Sequence, residues 1–393
     1  MSAKFRSLAR PSNKEIPILL KVFGVVLIVL CILLVPVLVF VAIDLPQVLS
    51  RISDRYGVAT LALCMVEIAL LVVACVTGVA LGVNLLRDRR RNARRIIEFL
   101  VIVEVLIFLC DTMVRGLRPL DLLFVIRFSV LAALMSYIDP SLSEERELRR
   151  KLRNMEVRDR MEEGTLGRDE SGKGYIELDF FNLFWVFVVC SVLGLLIEVI
   201  FHMVFVDFGV YQDRAGMLFG PFSPIYGVGA VFMTIVLNRL YDNNIFFVFI
   251  ASAAIGGAFE YFVSWFLQFS FGIIAWDYTG SFLSIDGRTN AMYMFFWGVL
   301  GCIWIKLLLP WLLKLVNMIP WNWRYSVTAA CAALMFCNAA MTLMAFDCWY
   351  QREAGLAPEN AAEQYFADHF DNDYMVNRFQ SMSIDPANTS RID

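Results

Sequence analysis

The sequence predicts an all-α fold, a polytopic transmembrane helical bundle of about nine spans in a 4+5 arrangement. Three observations carry that expectation. Hydrophobic residues make up 59% of the chain and charged residues only 18%, against roughly half and a quarter in an ordinary soluble domain. The apolar excess is gathered into runs of about 18–25 residues, the length at which a helix crosses a hydrocarbon core of roughly 30 Å. A polar, charge-rich stretch at 139–177 separates the first four runs from the last five.

The first run, Pro17 to Ile43, exceeds a signal-peptide core. Asp44–Leu45–Pro46 follows it in place of a small-residue cleavage site, so it is expected to stay as a helix. The next runs are 58–84, 96–113 and 120–138. Span three carries Glu98, Glu104 and Asp111, and span four carries Asp121 and Arg127. A hairpin turn near residue 116 sets Arg127 opposite Glu104. Such a match reads as structural, because a lone buried charge costs far more than a paired one. These residues, 1–138, form an N-terminal four-span membrane domain.

Residues 139–177 form a charged cytoplasmic linker. Leu148, Leu152 and Met155 fall at i, i+4, i+7, which allows an amphipathic helix on a membrane surface or a partner. A solvated charged helix followed by the flexible GTLGRDESGKG is the other reading. Runs at 179–206, 221–239, 245–269, 290–316 and 325–346 then make a five-span domain, 178–346. Residues 347–393 form an acidic C-terminal tail, with nine acidic residues against three arginines.

Orientation follows from lysine and arginine. Lys4, Arg6, Arg10 and Lys14, the loop RDRRRNARR (Arg87 to Arg95) and the linker segment RELRRKLRNMEVRDR (Arg146 to Arg160) fall on one side, which is therefore cytoplasmic. The expected topology is a multi-pass cell-membrane protein with a cytoplasmic N-terminus and an external C-terminus.

Several chemistries are disfavoured. Eight of the nine cysteines lie inside apolar runs and no CxxC pair occurs, so neither a zinc site nor a disulfide framework is indicated. The two histidines, His202 and His369, make a histidine metal site improbable. Asp371 and Asp373 lack the further spacing of a calcium loop. No nucleophile–base pair is evident, and no cofactor, catalytic residue or nucleic-acid partner is expected.

Two irregular segments break the helical pattern on the external side. RAGMLFGPFSPIYGVGA (Arg214 to Ala230) enters span six, and AWDYTGSFLSIDGRTN (Ala275 to Asn290) joins spans seven and eight. Non-helical backbone at membrane depth is tolerated only where protein or a watery cavity satisfies it. Pro221 and Pro224 suit a helix start, Gly227 and Gly229 offer a small contact face, and Asp286–Gly287 signals a tight turn. Trp276 and Tyr278 are natural interface residues. Below these loops are Glu198 and Glu260, each about 12–14 Å under the outer edge at 1.5 Å rise per residue, with His202 one turn above Glu198. Intramembrane carboxylates mark function by default. The expected substrate-binding set is Glu198, His202, Arg214, Glu260, Trp276, Asp277 and Arg288, with the two glutamates as floor and the two arginines as rim. A structural network that binds nothing is the alternative.

An ordered series of motifs runs through the five-span half: GPF-PIYG-G (Gly220 to Gly229), E---SW (Glu260 to Trp265), WDY (Trp276 to Tyr278), GR (Gly287, Arg288) and the pair Trp297–Gly298. In this series, over roughly 180–345, the chain resembles the bacterial ABC-transporter permeases of type IV, CmpB-like. In the family form an Arg directly precedes the first Gly of the loop. Here Ala215 stands between Arg214 and Gly216, so the correspondence holds more directly for Arg288 than for Arg214. The resemblance implies a transport-type inner-membrane protein. No GxxxxGK[ST] phosphate loop occurs, so ATP-driven activity would need a separate ATPase subunit. The competing expectation is a non-transporting membrane scaffold or envelope-interaction protein, to which the short inner loops, the polar linker and the acidic, aromatic tail point.

Overall fold

The computed structural model describes residues 16–36, 57–138, 159–160, 163, 167–169, 174–319, 321–389 and 391. The basic N-terminal arm and the Leu148–Met155 stripe lie outside the described residues. The chain divides into two compact units, 1–154 with 390–393, and 155–389.

Among the described residues six helices are long and apolar enough to cross a membrane, so this is a multi-pass, all-α membrane protein. In the first unit, α1 is Ile18–Pro36, α2 is Val58–Leu86, α3 is Arg90–Arg115 and α4 is Leu122–Ile138. Helices occupy every predicted span, but α3 carries too many charges to count among the six, and the apolar stretches Leu123–Met135, in α4, and Pro224–Leu240 are too short. The nine-span count is therefore not carried by length and composition alone.

Several charges of this unit pair across its helices. Arg127 Nη2 lies 3.5 Å from Glu104 Oε2, the pair expected from the hairpin. Arg115 reaches Glu67 at 2.8 Å and also contacts Asp111, which Arg118 holds at 2.7 Å. Asp88, after α2, accepts from the Ile16 amide at 2.6 Å and Lys21 at 2.9 Å, which brings the start of α1 to the α2–α3 turn. Leu81, Leu85, Ile97, Leu131 and Leu134 form the core.

In the second unit, α5 is Phe180–Phe201, continued by a π-helical turn His202–Val206. Asp179 caps its start, accepting from the Asn182 amide at 2.7 Å. Helix α6 is Pro224–Leu237, with Pro224 in its first turn as the sequence predicts; its amide is one the helix would leave unpaired anyway. Helix α7 is Ile245–Phe271, α8 is Ala291–Ile303, and α9 is Leu309–Asn317. A π turn, Trp304–Leu308, joins α8 to α9. Pro310 lacks the amide that would bond Lys306, and a widened turn accommodates such a loss. Helix α10 is Trp321–Glu353, running seven residues past the end of the predicted span; Asp347 lies inside it, buried.

Small residues set the helix spacing. A Cβ on Gly227 would stand 2.1 Å from Ser191 Oγ and 2.6 Å from the Phe187 carbonyl, so α6 lies directly on α5. A Cβ on Gly256 would fall 2.2 Å from Trp297, which fixes α7 against α8. The shared core includes Phe181, Met233, Leu237, Trp297, Trp304 and Leu312.

The acidic tail is folded. Helices α11, Ala361–His369, and α12, Asn372–Arg378, follow α10. Phe366, Phe370, Met375 and Phe379 bury against Phe346 and Trp349 of α10 and against Leu218 and Phe271. Asp371 caps α12, accepting from the Tyr374 amide at 2.8 Å. The tail ends in a short antiparallel pairing of β1, Ile273–Ile274, with β2, Ser383–Ile384.

Candidate functional site

Both irregular segments lie at the end of the bundle where α5, α7 and α10 finish. The segment before α6 is held from three directions. The Gly216 amide bonds the Phe222 carbonyl at 2.9 Å, and the Ser223 amide bonds the Ser191 carbonyl at 3.0 Å. The Leu218 amide bonds Thr342 Oγ1 at 2.9 Å, and Asn338 exchanges hydrogen bonds with Phe219 at 3.1 and 2.8 Å. Arg378, from α12, spans the segment. It donates to the Met217 carbonyl at 2.7 and 2.9 Å and to the Gly220 carbonyl, and pairs with Asp213 at 2.9 Å.

The segment between α7 and α8 reverses at Asp286–Gly287, whose φ values of 54° and 68° are both left-handed. That is the mirror-image turn favoured between paired strands, and Ile285 pairs with Thr289 across it. The Tyr278 amide bonds the Gly287 carbonyl at 2.7 Å. Asn290 caps α8, accepting from the Tyr293 amide at 2.9 Å.

Glu260 is 4% exposed. Tyr278 donates to its Oε1 at 3.0 Å and Thr289 to its Oε2 at 2.8 Å, with the Trp297 indole close by. No cation lies within ion-pair distance of it among the described residues. Burial first, then the neighbouring carboxylate, push the Tyr278 phenol above its ordinary value of 10.0, so it stays protonated as a donor.

Glu198 is partly buried and has a cation: Arg214 Nη1 lies 3.7 Å from its Oε1. The Tyr226 hydroxyl also faces this carboxylate. Arg214 Nε is buried without a hydrogen-bond partner. His202, 7% exposed, directs Nδ1 to the Val210 carbonyl at 3.3 Å. It braces the π turn and the loop.

Three tyrosines lie about the two carboxylates. The Tyr226 hydroxyl faces Glu198, Tyr278 donates to Glu260, and Tyr293 stacks on Tyr278 at a ring separation of 4.4 Å. Glu198 with Arg214 and Tyr226, and Glu260 with Tyr278 and Thr289, thus make two polar clusters within one helical unit. Tyr226, Tyr293 and Thr289 are absent from the sequence-derived set. Tyr226 and Thr289 fall within the two irregular segments and Tyr293 just past the second, aromatic and hydroxyl residues of a kind that interface packing also explains.

The remaining predicted residues are placed differently from a rim. Arg288, 7% exposed, turns to Asp286 at 3.0 Å and Ser264 at 3.3 Å, with its guanidinium over the Tyr261 and Phe269 rings. Trp276 Nε1 donates to the Arg288 carbonyl at 2.8 Å. Asp277 caps Thr279, accepting from its amide at 2.8 Å and hydroxyl at 2.6 Å. Those contacts, the hydroxyl foremost, hold its carboxyl below the ordinary 3.8. These three residues shape the loop that delivers Tyr278 and Thr289 to Glu260.

Next to these clusters, among α5, α6 and the α8–α9 helix, is a cavity of about 560 Å³. Gly194, Tyr226, Ala230, Trp297, Trp304 and Trp311 mark its length. Tyr226 and Trp297, which line it, also lie close to Glu198 and Glu260 respectively.

Residues 185–343 match the family model described as "Putative ABC-transporter type IV". No curated protein and no solved structure matches the chain.

Proposed function

We propose that this chain is a permease-like, transport-type subunit of the bacterial inner membrane, with an outward-facing polar site formed by Glu198, Arg214, Tyr226, Tyr293, Tyr278 and Glu260. The observation that carries the reading is the pair of engaged carboxylates within one helical unit, Glu198 with Arg214 and Glu260 with Tyr278 and Thr289. Ionisable groups at such depth usually serve an ion or solute path, and the match over 185–343 supports a transport role. Loop and tail contacts fix the donors around Glu260, so a ligand would meet a preorganised set rather than assemble one. The subunit performs no chemistry of its own in this reading and takes its energy from a separate ATPase.

The proposed topology has nine crossings, four and five, with the N-terminus cytoplasmic and the C-terminus external. Internal charge pairing in α3 and α4 supports their crossing. The closeness of Ile16 and Lys21 to Asp88 supports an N-terminus on the side of the arginine-rich α2–α3 loop.

The scaffold reading is favoured by one observation: both oxygens of Glu260 are already engaged, as a purely structural carboxylate would be. Ligand-induced thermal shift across ion and metabolite panels separates the two. Transport predicts a shift with some ligand that Glu198→Gln and Glu260→Gln abolish; no such ligand-dependent shift supports the scaffold. Cross-linking in cells gives a second readout: a recurrent ATPase with a phosphate loop supports transport, and envelope proteins alone support the scaffold.

A further inference from the structure

The cavity between α5, α6 and the α8–α9 helix differs in kind from the polar clusters beside it. Its lining is almost wholly hydrocarbon and aromatic, which leaves a water without the two to four partners it needs. It runs along α8–α9 from Trp297 to Trp311, about 21 Å at 1.5 Å per residue, a large part of the roughly 30 Å thickness of a hydrocarbon core. Its wall includes the π turn Trp304–Leu308, a distortion frequently found at functional sites. Its back wall is buried: Met233, Trp297, Trp304 and Leu312 are all under 9% exposed. Its rim is not: Ile197 is 60%, Leu307 65% and Trp311 49% exposed, on helices long enough to cross the bilayer. The volume falls within the range of small-molecule sites.

We propose that this cavity is a lipid-binding site that admits one acyl chain of a bilayer phospholipid sideways from the membrane, past Ile197 and Leu307. The lateral rim selects a chain already in the bilayer over a water-borne ligand, and the length selects an extended alkyl chain over a compact hydrophobe. The site is independent of the carboxylate clusters, with which it shares only Tyr226 and Trp297.

The test uses the full chain reconstituted in phosphatidylethanolamine–phosphatidylglycerol vesicles doped with a phosphatidylcholine carrying a mid-chain diazirine. Photolysis is followed by peptide mass spectrometry. Labelling is expected to concentrate on 189–197 and 297–312 over the equally exposed Phe246, Phe247, Leu334 and Phe336. Ala230→Phe and Leu300→Trp fill the cavity from different helices. Each should remove the excess while labelling at Phe246 and Phe247 persists. Even labelling of all exposed faces overturns the proposal, as does an excess that survives both variants. A diazirine fatty acid labels the cavity in a parallel arm; excess labelling by it with none from the phospholipid also overturns the assignment. If a variant does not fold, the wild-type labelling pattern still decides. Unchanged solute-dependent thermal shifts would separate failure here from failure of the polar site.

Discussion

Glu260 shows how a single carboxylate is held inside a membrane bundle without a cation. Two hydroxyls bond its two oxygens, so Glu260→Gln, which keeps one carbonyl acceptor, and Glu260→Ala, which keeps none, should differ. Leaving a buried donor unsatisfied costs about 1–3 kcal/mol. We expect Glu260→Ala to lower the thermal midpoint well below that of Glu260→Gln, read in the same detergent; equal midpoints would show that the oxygens contribute nothing. Asp277 gives a pH signature. Its folded pKa is depressed below 3.8, so its contribution is fully present above that value and is lost as pH falls through the folded pKa. Hydrogen exchange at 276–289 should accelerate below about pH 3.8, the ordinary value of this carboxyl. Asp277→Asn should make that segment's exchange less dependent on acid.

At the scale of elements, the tail and the loops form one clasp. Arg378 alone engages Asp213, Met217 and Gly220, and hydrogen bonds to charged groups contribute about 1.5–3 kcal/mol. Arg378→Ala should raise exchange at 213–220 while leaving 245–260 protected; unchanged protection at 213–220 would remove the clasp from the account. Helix contact is equally local. Gly256→Leu drives a side chain into Trp297, and overpacking of this kind costs about 1–3 kcal/mol. We expect a lower midpoint together with a changed tryptophan emission spectrum, since the indole beside Glu260 must move.

For the whole molecule, the spans were legible because apolar runs of sufficient length admit few other structures. Each predicted run holds a helix, and the hairpin argument that paired Arg127 with Glu104 also gives a contact in the fold. The tail was less legible. Its acidic composition gave no sign of the buried Phe366, Phe370 and Phe379 or of α10 continuing through Asp347. Removing 354–393 exposes Phe271, Phe346 and Trp349 and deletes the partner of β1. We expect the truncated protein to aggregate or lose midpoint stability in detergent; an unchanged midpoint would mean that this core is dispensable.

The sequence by itself determined a multi-pass helical protein with two structured segments and a pair of deep carboxylates, because hydropathy, helix breakers and charge are properties of local composition. Only the tertiary structure decided the partners. Arg288 looked like a rim cation but serves Asp286 and Ser264, while Tyr278 and Thr289 donate to Glu260 and Tyr226 faces Glu198. Those contacts depend on side-chain direction and on helix spacing set by glycines against Tyr226, Ser191 and Trp297. Neither direction nor spacing is written in any one stretch of chain; both arise when separate helices pack.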